Sequence, residues 1–182
     1  MHYLLKVMFI PLIMLAAVPT LSAYAQTDES SIKAQWINDL IPYIKWTGRS
    51  YKELTICTIG SENVNVYLKE IIQKEESDAK KRGKTLPLAH VEKQSSESDF
   101  TKCHILYIGT SEQNDITSLL DKTKGKQILT VSSLDKFADK GGIVEFVIST
   151  DGVVIRINEK PAENAKIIID SDLLGFAKRI YK

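Results

Sequence analysis

The sequence predicts a single α/β domain with a mixed, mainly parallel β-sheet, flanked by helices and ending in a C-terminal antiparallel hairpin. Three observations predict it. Residues 54–59 are a short, largely β-branched run and residues 103–108 a short, mainly apolar one, each closing on a glycine, Gly60 and Gly109, which is how buried strands read. Each run is followed by apolar residues at helical spacing: Val64, Tyr67, Leu68, Ile71 and Ile72 after the first, and Ile116, Leu119 and Leu120 after the second. Strand followed by helix is the repeating unit of a parallel sheet. Finally, residues 143–150 and 153–158 flank Asp151-Gly152, a favoured two-residue hairpin turn.

The chain begins with a segment unlike the rest. Residues 1–6 carry one Lys and no acid, residues 7–18 are an almost unbroken apolar run, and Ala23-Tyr24-Ala25 supplies small residues ahead of Gln26. This three-part pattern predicts a cleavable export signal over residues 1–25, cut between Ala25 and Gln26. The run is shorter than the roughly 20 apolar residues that span a bilayer, so the sequence predicts no stable membrane insertion after cleavage. Gln26 occupies the position where a lipoprotein would need a cysteine. Removing residues 1–25 from 182 leaves one domain, residues 26–182, of 157 residues. Lys6 is the only charged residue removed, so the remaining chain has 23 basic against 23 acidic residues. A neutral exported domain does not hold nucleic acid by bulk charge.

The elements follow in order. Ser30 or Ser31 caps a helix with Ile37, Leu40, Ile41 and Ile44 on one face, kinked or tightened at Pro42 and ended by Trp46-Thr47-Gly48. Strand 54–59 and the helix from Val64 come next. The charged stretch 74–84 reads as a solvated helix end and loop rather than an anion-binding patch, because acids interleave with its bases. Residues 86–91 form a weaker strand, 95–99 a loop, 103–108 a strand and 127–131 another. Residues 134–140 form a short helix or turn ending at Gly141-Gly142. In the hairpin, a turn at Asp151-Gly152 sets Thr150 opposite Val153, Ile148 opposite Ile155 and Phe146 opposite Ile157. Its other face carries Glu145, Ser149, Arg156 and Asn158 and is half exposed. Residues 167–169 and a helix bearing Leu173, Leu174, Phe176, Ala177 and Ile180 close the chain.

The residues predict no catalytic site, cofactor or metal. Nucleophilic catalysis needs a base beside a Ser or Cys. Only His90 and His104 follow the signal, and His104 lies within an apolar strand. Two Cys and two His scattered along the chain lack zinc-ligand spacing. Gly141-Gly142 reads as a turn into the hairpin. Trp46 with Arg49, and Arg156 with Asn158 on the hairpin, are candidates for partner or ligand binding. Trp46 also reads as a core residue. Two cysteines in an exported chain invite a disulfide. Cys57 lies three residues before its glycine and Cys103 six before its own. In a regular parallel pair that offset separates them by roughly 10 Å and sets them on opposite faces. A Cys57–Cys103 bond therefore requires Cys103 to lie before the regular strand, or a local bend; bonded and free states both stay open.

The ordered set of segments resembles the YfiR-like family of exported bacterial regulators. The resemblance runs from the helix closing on Trp46 through residues 54–60, 103–109 and 128–131. Its most specific part is residues 137–146, continuing through Asp151-Gly152 to 155–158, and residues 171–177 complete it. It implies a non-enzymatic periplasmic protein that binds and represses the sensory domain of an inner-membrane diguanylate cyclase, or a related sensor, and so lowers cyclic di-GMP signalling and surface attachment. It also implies disulfide-sensitive behaviour, with Cys57 and Cys103 where the family's strand cysteines fall. This chain has Trp46-Thr47 where the family often has Trp-Pro, and no second cysteine pair near the hairpin. The rival class is a small-ligand-binding module that feeds a different sensor kinase or a transporter, although 157 residues are too few for a two-lobed binding cleft. Self-association through an exposed hairpin edge is a further expectation.

Overall fold

The computed structural model describes residues 21–48, 53–60, 62–149 and 152–181. Arg49, Thr150, the predicted turn residue Asp151, and residues 1–20 lie outside them. Helix α1 spans Leu21–Leu40. It starts upstream of the predicted caps, so Ser30 and Ser31 lie inside it; no Gly or Pro interrupts residues 21–40. Pro42 tightens the chain into a 3-10 turn, Ile41–Tyr43, as its missing N–H requires. Ile44 then leaves the helix for strand β1, Ile44–Trp46, instead of extending the helical face. Strand β2 (Glu53–Ile59), helix α2 (Val64–Lys81) and strand β3 (Leu88–Lys93) form the first strand–helix–strand unit. Lys80 and Lys81 sit in the last turn of α2, and the charged stretch is exposed up to Lys84 apart from buried Ala79 and half-buried Glu76 and Asp78.

Strand β4 (Ile105–Ile108), helix α3 (Ile116–Thr123), strand β5 (Leu129–Ser132) and strand β6 (Val144–Ser149) continue the parallel sheet. Strand β7 (Gly152–Asn158) returns antiparallel. Helix α4 (Glu159–Asn164), strand β8 (Ile167–Ile169), helix α5 (Ser171–Phe176) and strand β9 (Arg179–Tyr181) complete the chain. The C-terminal helix is thus shorter than its apolar spacing predicts, and Ile180 belongs to a strand. Residues 134–140 form turns rather than a helix.

The described strands give a seven-stranded sheet in the order β3-β2-β4-β5-β6-β7-β9, with a separate ladder of β1 against β8. One sheet face packs on α1 and α2 through Leu54, Ile56, Ile105, Leu129, Phe146 and Ile155. The other packs Cys57, Ile59, Leu106 and Ile108 against α3, Leu134 and Phe137. β9 pairs with β7 in parallel. This pairing covers the outer edge of the hairpin from Arg156 to Asn158.

The hairpin register differs from the predicted one. Ser149 opposes Gly152, Ile148 opposes Val153 and Phe146 opposes Ile155, so the connection is Thr150–Asp151 and Gly152 opens the strand at φ +119. Both registers place the same side chains on the same faces, because the side-chain period is two. Hydrophobic alternation cannot choose between them.

Aligning Gly60 with Gly109 does predict the β2–β4 register, in which Cys57 pairs with Leu106. Cys103 lies before the regular strand, in a turn where its N–H donates to the Phe100 carbonyl at 2.9 Å and Phe100 adopts φ 58. That turn carries Cys103 to the Cys57 face. The two cysteines form a disulfide with Cα atoms 5.7 Å apart, both sulfurs within the core beneath α3.

Candidate functional site

The polar hairpin residues are turned inward. Glu145 is buried, not half exposed as alternation predicts. Residues 137–142 fold over it, its Oε2 accepts from the Ala138 N–H at 3.0 Å, and its Oε1 accepts from Arg156 Nη1 at 3.0 Å. Asn158 Nδ2 donates to the Ala138 carbonyl at 2.8 Å. Arg156 and Asn158, proposed as binding residues, thus clamp the segment before the hairpin onto the sheet. Replacing Arg156 by Met leaves Glu145 buried with one donor fewer. The expected cost in urea unfolding is about 2 kcal/mol, below the usual figure for breaking a buried pair because Arg156 is partly solvated. Trp46 is buried and meets His104 edge-on, with ring centroids 6.0 Å apart. His104 Nδ1 accepts the Thr55 N–H at 3.0 Å, and the His104 N–H donates to the Thr55 carbonyl at 2.8 Å. The ring therefore serves the β2 backbone. The predicted cleavage residues Ala25 and Gln26 lie along the backbone of α1.

A buried polar cluster escapes the sequence reading. The strand order β3-β2-β4 reverses direction at β2, and in open α/β sheets the crevice beyond the strand ends at such a point is the usual ligand site. Here Glu62, after β2, meets Thr110, after β4. The carboxylate accepts from Thr110 Oγ1 at 2.6 Å, from the Thr110 N–H at 3.1 Å and from the Tyr107 hydroxyl. From α1, Lys33 Nζ reaches Glu62 Oε1 at 3.0 Å and Glu29 Oε1 at 2.8 Å. Burial pushes the Glu62 carboxyl up, but the Thr110 and Tyr107 donors and the Lys33 charge outweigh it and hold the group below the ordinary glutamate range. Burial, with the Glu62 charge beside it, drives the Tyr107 phenol well above its ordinary value. Gly60 and Gly109 let the two loops meet, since a Cβ at Gly109 would lie 3.0 Å from the Ile59 carbonyl oxygen. A sequence signal did exist: Lys33 lies on the same helical stripe as Ile37 and Leu40.

An open cleft of about 890 Å³ lies between the end of α1, the sheet and α5. Its lining is mainly apolar and includes Ile41, Tyr43, Leu86, Val153 and Phe176, with Asp39, Glu75 and Glu76 at the α1–α2 side. Phe176 is 74% exposed and Leu86 42%, unusual for large apolar groups grouped around one mouth. Neither Trp46 nor Arg156 lines this cleft.

A family model described as YfiR/HmsC-like matches residues 30–178. The chain belongs to the YfiR/HmsC-like family. No curated protein matches the chain. Among solved structures, this YfiR/HmsC-like chain is similar to a conserved domain protein from Vibrio cholerae O1 biovar El Tor, with 14% identity and a TM-score of 0.50. It is also similar to an ABC domain from Streptococcus pneumonia described as a complex with L-Trp, with 15% identity and a TM-score of 0.51. Each likeness covers 83% of this chain and 60% of the other, and at that identity it speaks to the α/β fold alone. Among the described residues of this YfiR/HmsC-like protein, no helix is long and apolar enough to cross a membrane.

Proposed function

We propose that this YfiR/HmsC-like protein is a non-enzymatic periplasmic regulator that binds the sensory domain of an inner-membrane diguanylate cyclase and holds it inactive. Family membership over residues 30–178 carries the reading. The export pattern of residues 1–25 supports the location. The exposed apolar cleft supplies a surface for a protein partner. The mechanism is occupancy: a regulator that binds only the inactive conformer shifts the sensor toward it by its differential affinity. Moving a sensor from 99% active to 99% inactive takes roughly a 10⁴-fold preference. Cleavage after Ala25 leaves Gln26 at the start of α1 and keeps the packed residues Ala34, Ile37 and Leu40.

Deleting the gene in its native host is expected to raise intracellular cyclic di-GMP, measured by mass spectrometry of nucleotide extracts. Unchanged levels, with export of the wild-type protein verified, would sink the cyclase reading. The cleft volume also favours a second reading, since about 890 Å³ lies within the range of small-molecule sites, roughly 300–1,000 Å³. In that case the domain presents a small ligand to another sensor kinase or a transporter, and calorimetric titration with periplasmic extract fractions would detect it.

A further inference from the structure

We infer that the cleft receives one apolar protein segment flanked by Lys or Arg side chains, presented by the membrane sensor; this rests on the regulatory reading above. The apolar part follows from the lining. Phe176 and Leu86 both line the cleft and stand exposed, and an apolar insertion removes both from water. The basic flank follows from charge. Asp39, Glu75 and Glu76 line one side. The Asp39 carboxylate accepts from the Gln35 amide at 2.8 Å and the Glu75 carboxylate from the Asn38 amide at 2.8 Å. Neutral amides orient these acids without cancelling their charge. The cleft's one basic lining residue, Lys45, lies 3.5 Å from the Asp170 carboxylate, so the lining carries three acids against one base.

The occupant is elongated. A second depression between α2 and the edge strand β3 shares Ile72, Glu76 and Ala89 with the cleft. Leu88, 51% exposed, continues the apolar surface along it. A compact ligand would fill the cleft and leave that extension uncovered. The acidic side also selects against two other occupants. An anionic membrane leaflet would be repelled. A twofold contact centred on the acidic side would set the same acids against each other.

The test places a photo-crosslinking phenylalanine analogue at position 176, and separately at position 66, in the full-length chain in its native host. Val66 is 45% exposed on α2 and lies outside the cleft. The expected result is a crosslink from position 176 to the periplasmic part of a membrane sensor, mapping to an apolar peptide with adjacent Lys or Arg. The double substitution Asp39→Lys with Glu76→Lys should lower its yield on the order of tenfold, and added salt should weaken the wild-type crosslink. Circular dichroism and thermal unfolding establish that the double variant is folded. A sensor crosslink from position 66 with none from 176 overturns the cleft while sparing the regulatory reading. So does a yield unmoved by the double substitution in a folded protein. Crosslinking from 176 to lipid or to a second copy overturns it as well. No sensor crosslink from either position, together with unchanged cyclic di-GMP on deletion, removes the inference and the regulatory reading together.

Discussion

Replacing Cys57 and Cys103 together by Ala is expected to lower the stability of the domain by about 4 kcal/mol. The bond closes a loop with a sequence separation of 46, and chain entropy removed from the unfolded state gives about 4 kcal/mol for such a loop. Alanine is the right replacement because both cysteines are buried, and serine would add two unpaired hydroxyls to the core. Urea unfolding of the oxidised wild type, the reduced wild type and the double variant checks the number. Equal midpoints for all three would show that the crosslink does not constrain the unfolded chain. Burial also predicts kinetics: with 0% and 1% of the two residues exposed, reductant should cleave the bond only as fast as the β2–β4 region opens.

Lys33→Met carries the second large effect, an expected loss of about 3 kcal/mol. Removing one member of a buried ion pair leaves the other charge without its partner. Here the Lys33 side chain is 3% exposed and that of Glu62 10%. The loss stays at the lower end of the usual range because Glu62 keeps its Thr110 and Tyr107 donors. A pH dependence accompanies it. The folded-state Glu62 pKa lies below its unfolded value. Its contribution is therefore complete above the unfolded pKa of about 4.3 and is lost as pH falls through the folded pKa. Glu62→Gln should flatten the wild-type decline in urea midpoint below about pH 4.3. A decline of undiminished slope in that variant would assign the acid sensitivity to other carboxylates.

Much of the framework was legible because its signals are local. The glycines closing β2 and β4 fix the pairing of Cys57 with Leu106, and from that offset it followed that a disulfide needs Cys103 before the regular strand or a local bend. Pro42 announced a kink or a tightening, and the chain takes the tightened form. What the sequence concealed depends on contacts between distant segments. Glu145 alternates outward with respect to its own strand, yet residues 137–142 fold over it. Ile44 and Ile180 keep a helical spacing, but each finds a better partner in a ladder, with Ile169 and Ile157 respectively. The hairpin register was undetermined by periodicity, since a two-residue change in pairing preserves both faces. The cleft arises from elements at both ends of the chain, and its apolar residues read singly as core. The polar cluster at β2 and β4 likewise joins α1 to two loops, which no single motif encodes.

The small ladder of β1 with β8 bears on how the protein is made. It joins Trp46 to Ile167, and the Thr47 hydroxyl also donates to the Lys166 carbonyl at 2.8 Å. Contacts this distant in sequence carry a loop-closure cost and slow folding. During synthesis, β1 has no ladder partner until almost the entire polypeptide has emerged. Completion of the native state is thereby deferred to the last moments of synthesis. If the chain is exported as proposed, that order of assembly keeps it open longer, because its closing contacts cannot form while its C-terminal residues are still being made.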